Sequence, residues 1–244
     1  HGITKYLKIN KKLLIKIKKY QNNIKLIRVT NSLFKNYLIK KGIKKNKIFT
    51  IPLTVNTKLF TPKKNKLQLR KKFNLPISKF LIGSFHKDGN GWDEGTTPKL
   101  IKGPDILVKS LIDLKNKIGK DNFVVILTAP ARGYVKEKLK KNNINFFHFN
   151  PLKFEDLPEL YNCLDLYLIS SRDEGGPTGL FEAMACGIPV VTTKVGSAID
   201  HIKNKKNGFK CNVGDYKSLA NNIVKIKNNK KLRERIIKNS LLTA

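Results

Sequence analysis

SRDEGGPTGLFEAMACGIPVVTT, residues 171–193, decides the fold. The apolar run ending at Ser170 leads into it and Pro189–Thr193 closes it, and both runs read as strands. Unbroken apolar runs of this kind mark strands covered on both faces. Between them, Thr178–Cys186 reads as a helix entered through the loop RDEGGP. Gly175 and Gly176 permit a tight backbone that approaches a partner closely, and Pro177 suits the first turn of a helix. A helix start of this type directs unpaired N–H groups and a positive dipole above the carboxyl edge of the sheet, which suits a diphosphate. Glu174 stands before the turn and Glu182 on the helix after it, with seven residues between them. A carboxylate accepts from two hydroxyls at once, so Glu174 suits a sugar ring and Glu182 the hydroxyls of a ribose. Taken singly, each also fits an ordinary helix-start or helix-surface role.

Outward from this run, strand and helix patterns alternate. Strands are expected at Phe80–Phe85, Phe123–Thr128, Asn145–Phe149, Leu166–Ser170, Pro189–Thr193 and Gly208–Cys211. Helices are expected at Gly103–Ile118, Val135–Asn142, Phe154–Asn162, Thr178–Cys186, Tyr216–Lys227 and Lys230–Ser240. This alternation predicts an α/β fold with a doubly wound parallel sheet. Upstream, Tyr6–Tyr20 reads as a basic helix with an apolar stripe, packed on a core or lying on a membrane surface. Ile24–Thr30 and Lys47–Pro52 read as strands flanking a helix, Ser32–Lys41, that Gly42 terminates. LTVNTKLFTPKK, bracketed by Pro52 and Pro62, reads as a crossing between domains.

Fifty Lys and Arg against 17 Asp and Glu give a formal charge of +33. The lysines run through nearly every segment with Asn and Ile, and Arg is scarce. A nucleic-acid reader gathers its cations on one face, so the spread reads as a bias of the whole chain. It would still draw the protein toward anionic surfaces. No apolar stretch approaches the roughly 20 residues that span a bilayer. Cys163, Cys186 and Cys211 lack paired-ligand spacing, which argues against a metal site and for buried thiols in a reducing compartment. A start at His1 and an end at Ala244 inside a helical pattern read as a fragment of a longer chain.

Ser171–Thr193, continued by VGSAIDHI (Val195–Ile202), resembles the E-x7-E region of the family 4 (group 1) retaining glycosyltransferases, enzymes of the two-domain GT-B architecture. LIKGPDILVKSL (Leu100–Leu111) is similar to that family's Lys-Gly segment, and LPELYNCLDLYLISS (Leu157–Ser171) to the helix and strand before the signature. Residues 26–62 resemble the end of the acceptor-binding domain and the passage out of it. The resemblance implies that residues 1–57 are the remnant of an acceptor-binding α/β domain with its linker. Residues 58–244 would be the Rossmann-like domain that binds a nucleotide-sugar donor.

It further implies roles for residues. Glu174 and Lys102 would be catalytic, Glu174 against the donor sugar and Lys102 against the diphosphate. Glu182 would hold the ribose, and Asn150 and Leu152 would flank the base. Gly175, Gly176, Pro177, Thr178, Gly179 and Leu180 would wrap the phosphate. The family carries a Gly-Arg pair after the first donor-domain strand; here Gly83-Ser84 stands there, followed by the insertion FHKDGNGWDEGTTPK. Either Lys87 or Arg132 is then expected to supply the missing cation, or diphosphate binding is weaker. The insertion reads as an ordered loop shaping the site or as a surface excursion. No metal or other cofactor is expected, since no DXD-type motif lies near the site. Implied partners are a nucleotide sugar and a saccharide or glycolipid acceptor, with a cytoplasmic location and peripheral contact with an anionic membrane. The fragment alone is expected to turn over little. A nucleotide-sugar epimerase, a phosphorylase, or a basic nucleic-acid-binding protein on an inactive sugar-nucleotide fold are the competing readings.

Overall fold

The computed structural model describes residues 11–150 and 152–244. Six parallel strands form the main sheet: β3 (Phe80–Ser84), β4 (Phe123–Thr128), β5 (Phe146–Phe149), β6 (Leu166–Ile169), β7 (Val190–Thr193) and β8 (Phe209–Cys211). Their order is β5-β4-β3-β6-β7-β8. The chain therefore runs outward from β3 through β4 to β5, then returns to the other side of β3 and runs outward again. The switch point lies between β3 and β6, where Ile82 pairs with Leu166 and Gly83 with Tyr167.

Alternation along the strands builds a core on each face. Ile82, Val125, Leu127, Leu166, Leu168 and Val191 point into one core. There they meet α4 (Pro104–Ile118), α5 (Gly133–Lys141), α9 (Tyr216–Asn228) and α10 (Lys230–Leu241). Leu81, Val124, Ile126, Tyr167, Ile169 and Val190 point into the other. There they meet α3 (Lys66–Lys72), α6 (Leu157–Cys163), α7 (Thr178–Ala185) and the short α8 (Ala198–His201). Cover on both faces is why these strands read as unbroken apolar runs. The expected doubly wound sheet is present.

A second, two-stranded parallel sheet pairs β1 (Ile27–Val29) with β2 (Ile48–Thr50) around α2 (Ser32–Lys40). Asn31 caps α2 by accepting from the Phe34 N–H at 2.9 Å, and Gly42 follows it at φ +86°. Val29, Leu38, Ile43 and Ile48 form the small core. Leu14 and Ile17 of α1 (Lys11–Tyr20) pack against it, so this helix turns a face to a core. Residues 6–10 of the expected basic helix lie outside the described residues. No described helix is long and apolar enough to cross a membrane.

Two elements differ from expectation. α3 forms just after the expected crossing, in a stretch for which no element was expected, and it buries Leu69 and Arg70. The Arg70 guanidinium is satisfied internally, donating to the Cys163 and Ile77 carbonyls and pairing with Asp165 at 2.6 Å. α8 is likewise absent from the sequence pattern, being only one turn long.

Candidate active site at the sheet switch point

Two backbone segments meet above the carboxyl ends of β3 and β6. The turn Leu100–Lys102 leads into α4 through Gly103, in the left-handed region at φ +64°. A Cβ on Gly103 would run into the Ser170 carbonyl, so only glycine lets the turn approach the end of β6 this closely. Ser170 Oγ donates to the Gly103 carbonyl at 2.9 Å, and the Arg172 N–H to the Ile101 carbonyl at 2.8 Å. Arg172 also grips Asp105, in the first turn of α4, through both guanidinium nitrogens at 2.6 Å.

This seam brings Lys102 and Glu174 together. Lys102 Nζ lies 2.7 and 2.8 Å from the two Glu174 carboxylate oxygens, and Ser171 Oγ donates to one of them at 2.8 Å. Glu182 has a different environment. Tyr161 donates its hydroxyl to Glu182 Oε2 at 2.8 Å, no cation pairs with it among the described residues, and burial raises its carboxyl pKa above the ordinary value. The Tyr161 and Tyr167 rings lie 5.2 Å apart with Phe85 against both. Burial pushes the Tyr161 hydroxyl pKa well up and that of Tyr167 to about 12, so both remain hydrogen donors.

These groups share one cavity of about 170 Å³, lined by Phe85, His86, Lys102, Tyr161, Tyr167, Ile169, Glu174, Gly176, Pro177, Thr178, Gly179 and Glu182. α7 opens onto it without a side-chain cap at Pro177, so the first-turn N–H groups at Thr178 and Gly179 have no acceptor from the helix itself. A Cβ on Gly179 would stand 2.5 Å from the Tyr167 hydroxyl and 3.0 Å from that of Tyr161. The absence of a side chain there is what seats the helix on the tyrosine pair.

Several residues singled out from the sequence lie elsewhere. The Leu180 side chain is fully buried and its N–H is closed onto the Pro177 carbonyl at 3.1 Å. Gly83 and Ser84 are buried inside β3. Asn150, exposed, and Leu152, packed on the core, follow edge strand β5 outside the cavity lining, and position 151 is outside the described residues. Arg132 does not supply the expected cation. Its side chain is 0% exposed, donating to the Ser84 carbonyl at 2.8 Å and to the His86 carbonyl, and pairing with the equally buried Asp88 at 3.1 Å. Burial raises the Asp88 carboxyl to about 6 despite that partner. Lys87 Nζ sits 3.7 Å over the Trp92 ring, outside the cavity lining.

The insertion is an ordered loop. It closes on itself through Asn90 N–H to Thr97 O at 2.9 Å and Lys99 N–H to Asp88 O at 2.7 Å. It docks on the β4–α5 turn, where Gly95 and Gly133 leave no room for a Cβ. It contributes Phe85 and His86 to the cavity, neither of which the sequence reading singled out. The His86 imidazole pKa lies well below the usual histidine value through burial, reinforced by Arg132 and Lys102 and opposed by the Lys102 backbone.

The glycine-rich loop is tied down differently from expectation. Neither Gly175 nor Gly176 has positive φ; the left-handed position is Gly196, whose Cβ would stand 2.7 Å from the Glu174 carbonyl. The Gly175 carbonyl accepts from Thr30 Oγ1 and from Asn31 Nδ2 at 2.7 Å, at the β1–α2 junction. Beyond that contact opens a second hollow of about 580 Å³, lined by residues including Thr30, Asn31, Phe34, Asp173, Glu174 and Lys194. Glu174 thus borders both hollows.

The chain is similar to known proteins in sequence and in fold. Relatives include the capsular polysaccharide biosynthesis glycosyltransferase CapM of Staphylococcus aureus, 28% identical over 131 residues. That match covers 54% of this chain and 30% of CapM. A probable sucrose-phosphate synthase of Thermosipho melanesiensis is 29% identical over 197 residues, 76% of this chain and 41% of that protein. The chain thus spans well under half the length of these curated relatives. Among solved structures, Anabaena HepE in complex with UDP superposes with a TM-score of 0.79 at 21% identity, over 99% of this chain and 65% of that one. The sheet is that of the Rossmann-like C-terminal domain of GT-B glycosyltransferases. The sequence model described as glycosyl transferases group 1 matches residues 98–242, more than half of the chain, and the chain belongs to that family.

Proposed function

We propose that the chain is the donor-binding part of a retaining, family 4 glycosyltransferase. In this reading it moves a sugar from a nucleoside-diphosphate sugar to a saccharide or glycolipid acceptor. The observation that carries the reading is the shared cavity at the switch point. It presents Lys102, an uncapped helix start and two carboxylates in unlike environments, with seven residues between them. The diphosphate takes Lys102 and the Thr178 and Gly179 N–H groups. Glu174, released from Lys102, accepts from sugar hydroxyls. Glu182 accepts from the ribose, whose hydroxyls offset the burial of its charge. Catalysis comes from holding the donor and stabilising the departing diphosphate, with cations and helix N–H groups in place of a metal. Residues 1–57 belong with the acceptor side and 58–244 with the donor, and the acceptor approaches through the hollow on the far side of Glu174. The enzyme works in the cytoplasm, its surplus of positive charge favouring an anionic membrane face.

A melting panel with UDP, GDP, ADP and their sugar conjugates tests this. At least one nucleotide raises the melting temperature of the chain, and Glu182→Ala abolishes the rise. No response to any of them, together with salt-sensitive binding of DNA or RNA, would overturn the reading. Conversion of a nucleotide sugar without acceptor would instead mark an epimerase, and a requirement for inorganic phosphate a phosphorylase.

A further inference from the structure

His86 lines the cavity together with Lys102, Glu174 and Glu182. Its Nε2 is buried without a hydrogen-bond partner, so the ring keeps one polar atom unspent at the edge of the site. The ionisable groups of that lining set the electrostatic problem: one lysine stands against two carboxylates, with the two tyrosines neutral. A nucleoside diphosphate adds about two further negative charges beside partly buried carboxylates, where like charges repel more strongly than in open water. His86 is the remaining group of the lining that can turn positive. Building on the donor-binding reading above, we infer that His86 is neutral in the empty site and takes up a proton when a nucleoside diphosphate binds. The imidazolium then serves as the second cation on the diphosphate.

The proton comes from solvent onto the imidazole and leaves when the nucleotide does; no covalent bond changes. The groups facing the ring account for both states. Burial, Arg132 from the β4–α5 turn and Lys102 from the turn before α4 hold the empty-site imidazole neutral, against the Lys102 backbone. Glu174 from the β6–α7 loop is matched by Lys102. Glu182 from α7 is held by Tyr161 from α6, and Asp88, on the same loop as His86, is spent on Arg132. Tyr167 from β6 is uncharged. An arriving diphosphate engages Lys102, removing one of the two cations that oppose protonation, and adds anionic oxygens. An opposite charge within about 4–6 Å raises a histidine pKa by roughly 1–3 pH units. Nucleotide affinity therefore weakens as pH climbs from the empty-site pKa through the bound-state one, by at most about tenfold per pH unit for one linked proton, and levels off above it.

The chain carries four histidines, so proton NMR can follow each imidazole through a pH titration, alone and with UDP or GDP at millimolar concentration, where weak binding suffices. His86→Gln assigns the signal. If that variant fails to fold, a chain with His1, His148 and His201 all changed to Gln leaves His86 as the sole signal. The expected result is a His86 pKa raised by about one pH unit or more with nucleotide. His86→Arg is expected to bind with no such pH dependence. Nucleotide-induced shifts at other resonances with an unmoved His86 pKa would overturn the inference while leaving the donor-binding reading intact. No response anywhere to UDP, GDP or ADP would remove that reading and the inference with it.

Discussion

Tyr161→Phe isolates the hydroxyl that holds Glu182. The tyrosine is 1% exposed, and phenylalanine fills the same space, so the change deletes the 2.8 Å hydrogen bond to Glu182, and the hydroxyl's contact with Tyr167, with little loss of packing. The cost depends on the charge of its partner. A hydrogen bond to an ionised group is worth about 1.5–3 kcal/mol and a neutral one about 1 kcal/mol. Burial raises the Glu182 carboxyl pKa and the tyrosine hydrogen bond lowers it; deleting that bond raises it further. A carboxyl with a raised folded-state pKa makes the folded protein bind more protons than the unfolded one. Stability is then lost as pH climbs from the unfolded value through the folded one. Tyr161→Phe deepens that loss, so its cost is about 1 kcal/mol at pH 4 and about 2–3 kcal/mol at pH 7.5. Urea unfolding of parent and variant at both pH values measures it, and Tyr161→Phe on a Glu182→Gln background should show no pH difference. Equal costs at both pH values in the single variant would refute the argument that Glu182 is a buried, hydroxyl-held carboxylate.

Three further outcomes follow from the same geometry. Glu174→Gln releases Lys102 from a mostly buried pair, so UDP or GDP binding tightens by about fivefold, or about 1 kcal/mol, while preference for the sugar-bearing nucleotide falls; isothermal calorimetry with both ligands reads the two effects. Gly103→Ala puts a Cβ into the Ser170 carbonyl at a positive-φ position and is expected to cost at least about 3 kcal/mol; an unchanged melting temperature would show that the seam is not tight. Arg132→Met leaves Asp88 buried and unpaired, at about 3–5 kcal/mol. Because Asp88 already titrates near 6, the loss is smaller at pH 5, where it protonates, than at pH 8, as denaturant melts at the two pH values would show.

The strands were legible because burial on both faces leaves an unbroken apolar signature, as in FVVILT of β4. α3 was not, because Arg70 works inside the core while lysines crowd the helix around it, which leaves no clear apolar stripe. In the site, Glu174, Glu182 and the start of α7 converge on one cavity, and Lys102, to which the family resemblance pointed, joins them. Arg132 misled for a physical reason: its partner Asp88 lies in a distant loop, and only the docking of that loop shows the guanidinium to be consumed internally. Tyr161 escaped notice because an aromatic at helical spacing reads as core. It is core by its ring and site by its hydroxyl. The left-handed glycine beside the loop is Gly196, through a backbone approach to Glu174 that no local pattern encodes.

The seven-residue interval between the glutamates gains its meaning from what lies under the helix start. Glu174 sits at the rim of the β6–α7 loop, where the turn before α4 delivers Lys102 and Ser171 supplies a hydroxyl. Glu182 lies one turn into α7, over a floor of tyrosines that gives it a donor but no charge. Gly179, between them, lets α7 descend onto that floor. Were the helix held higher by a side chain there, Glu182 would rise toward water and lose both its hydroxyl partner and its raised pKa. The pair would then be two ordinary surface carboxylates repelling an approaching diphosphate. What separates the two glutamates chemically is therefore a packing decision at a residue with no polar side chain of its own.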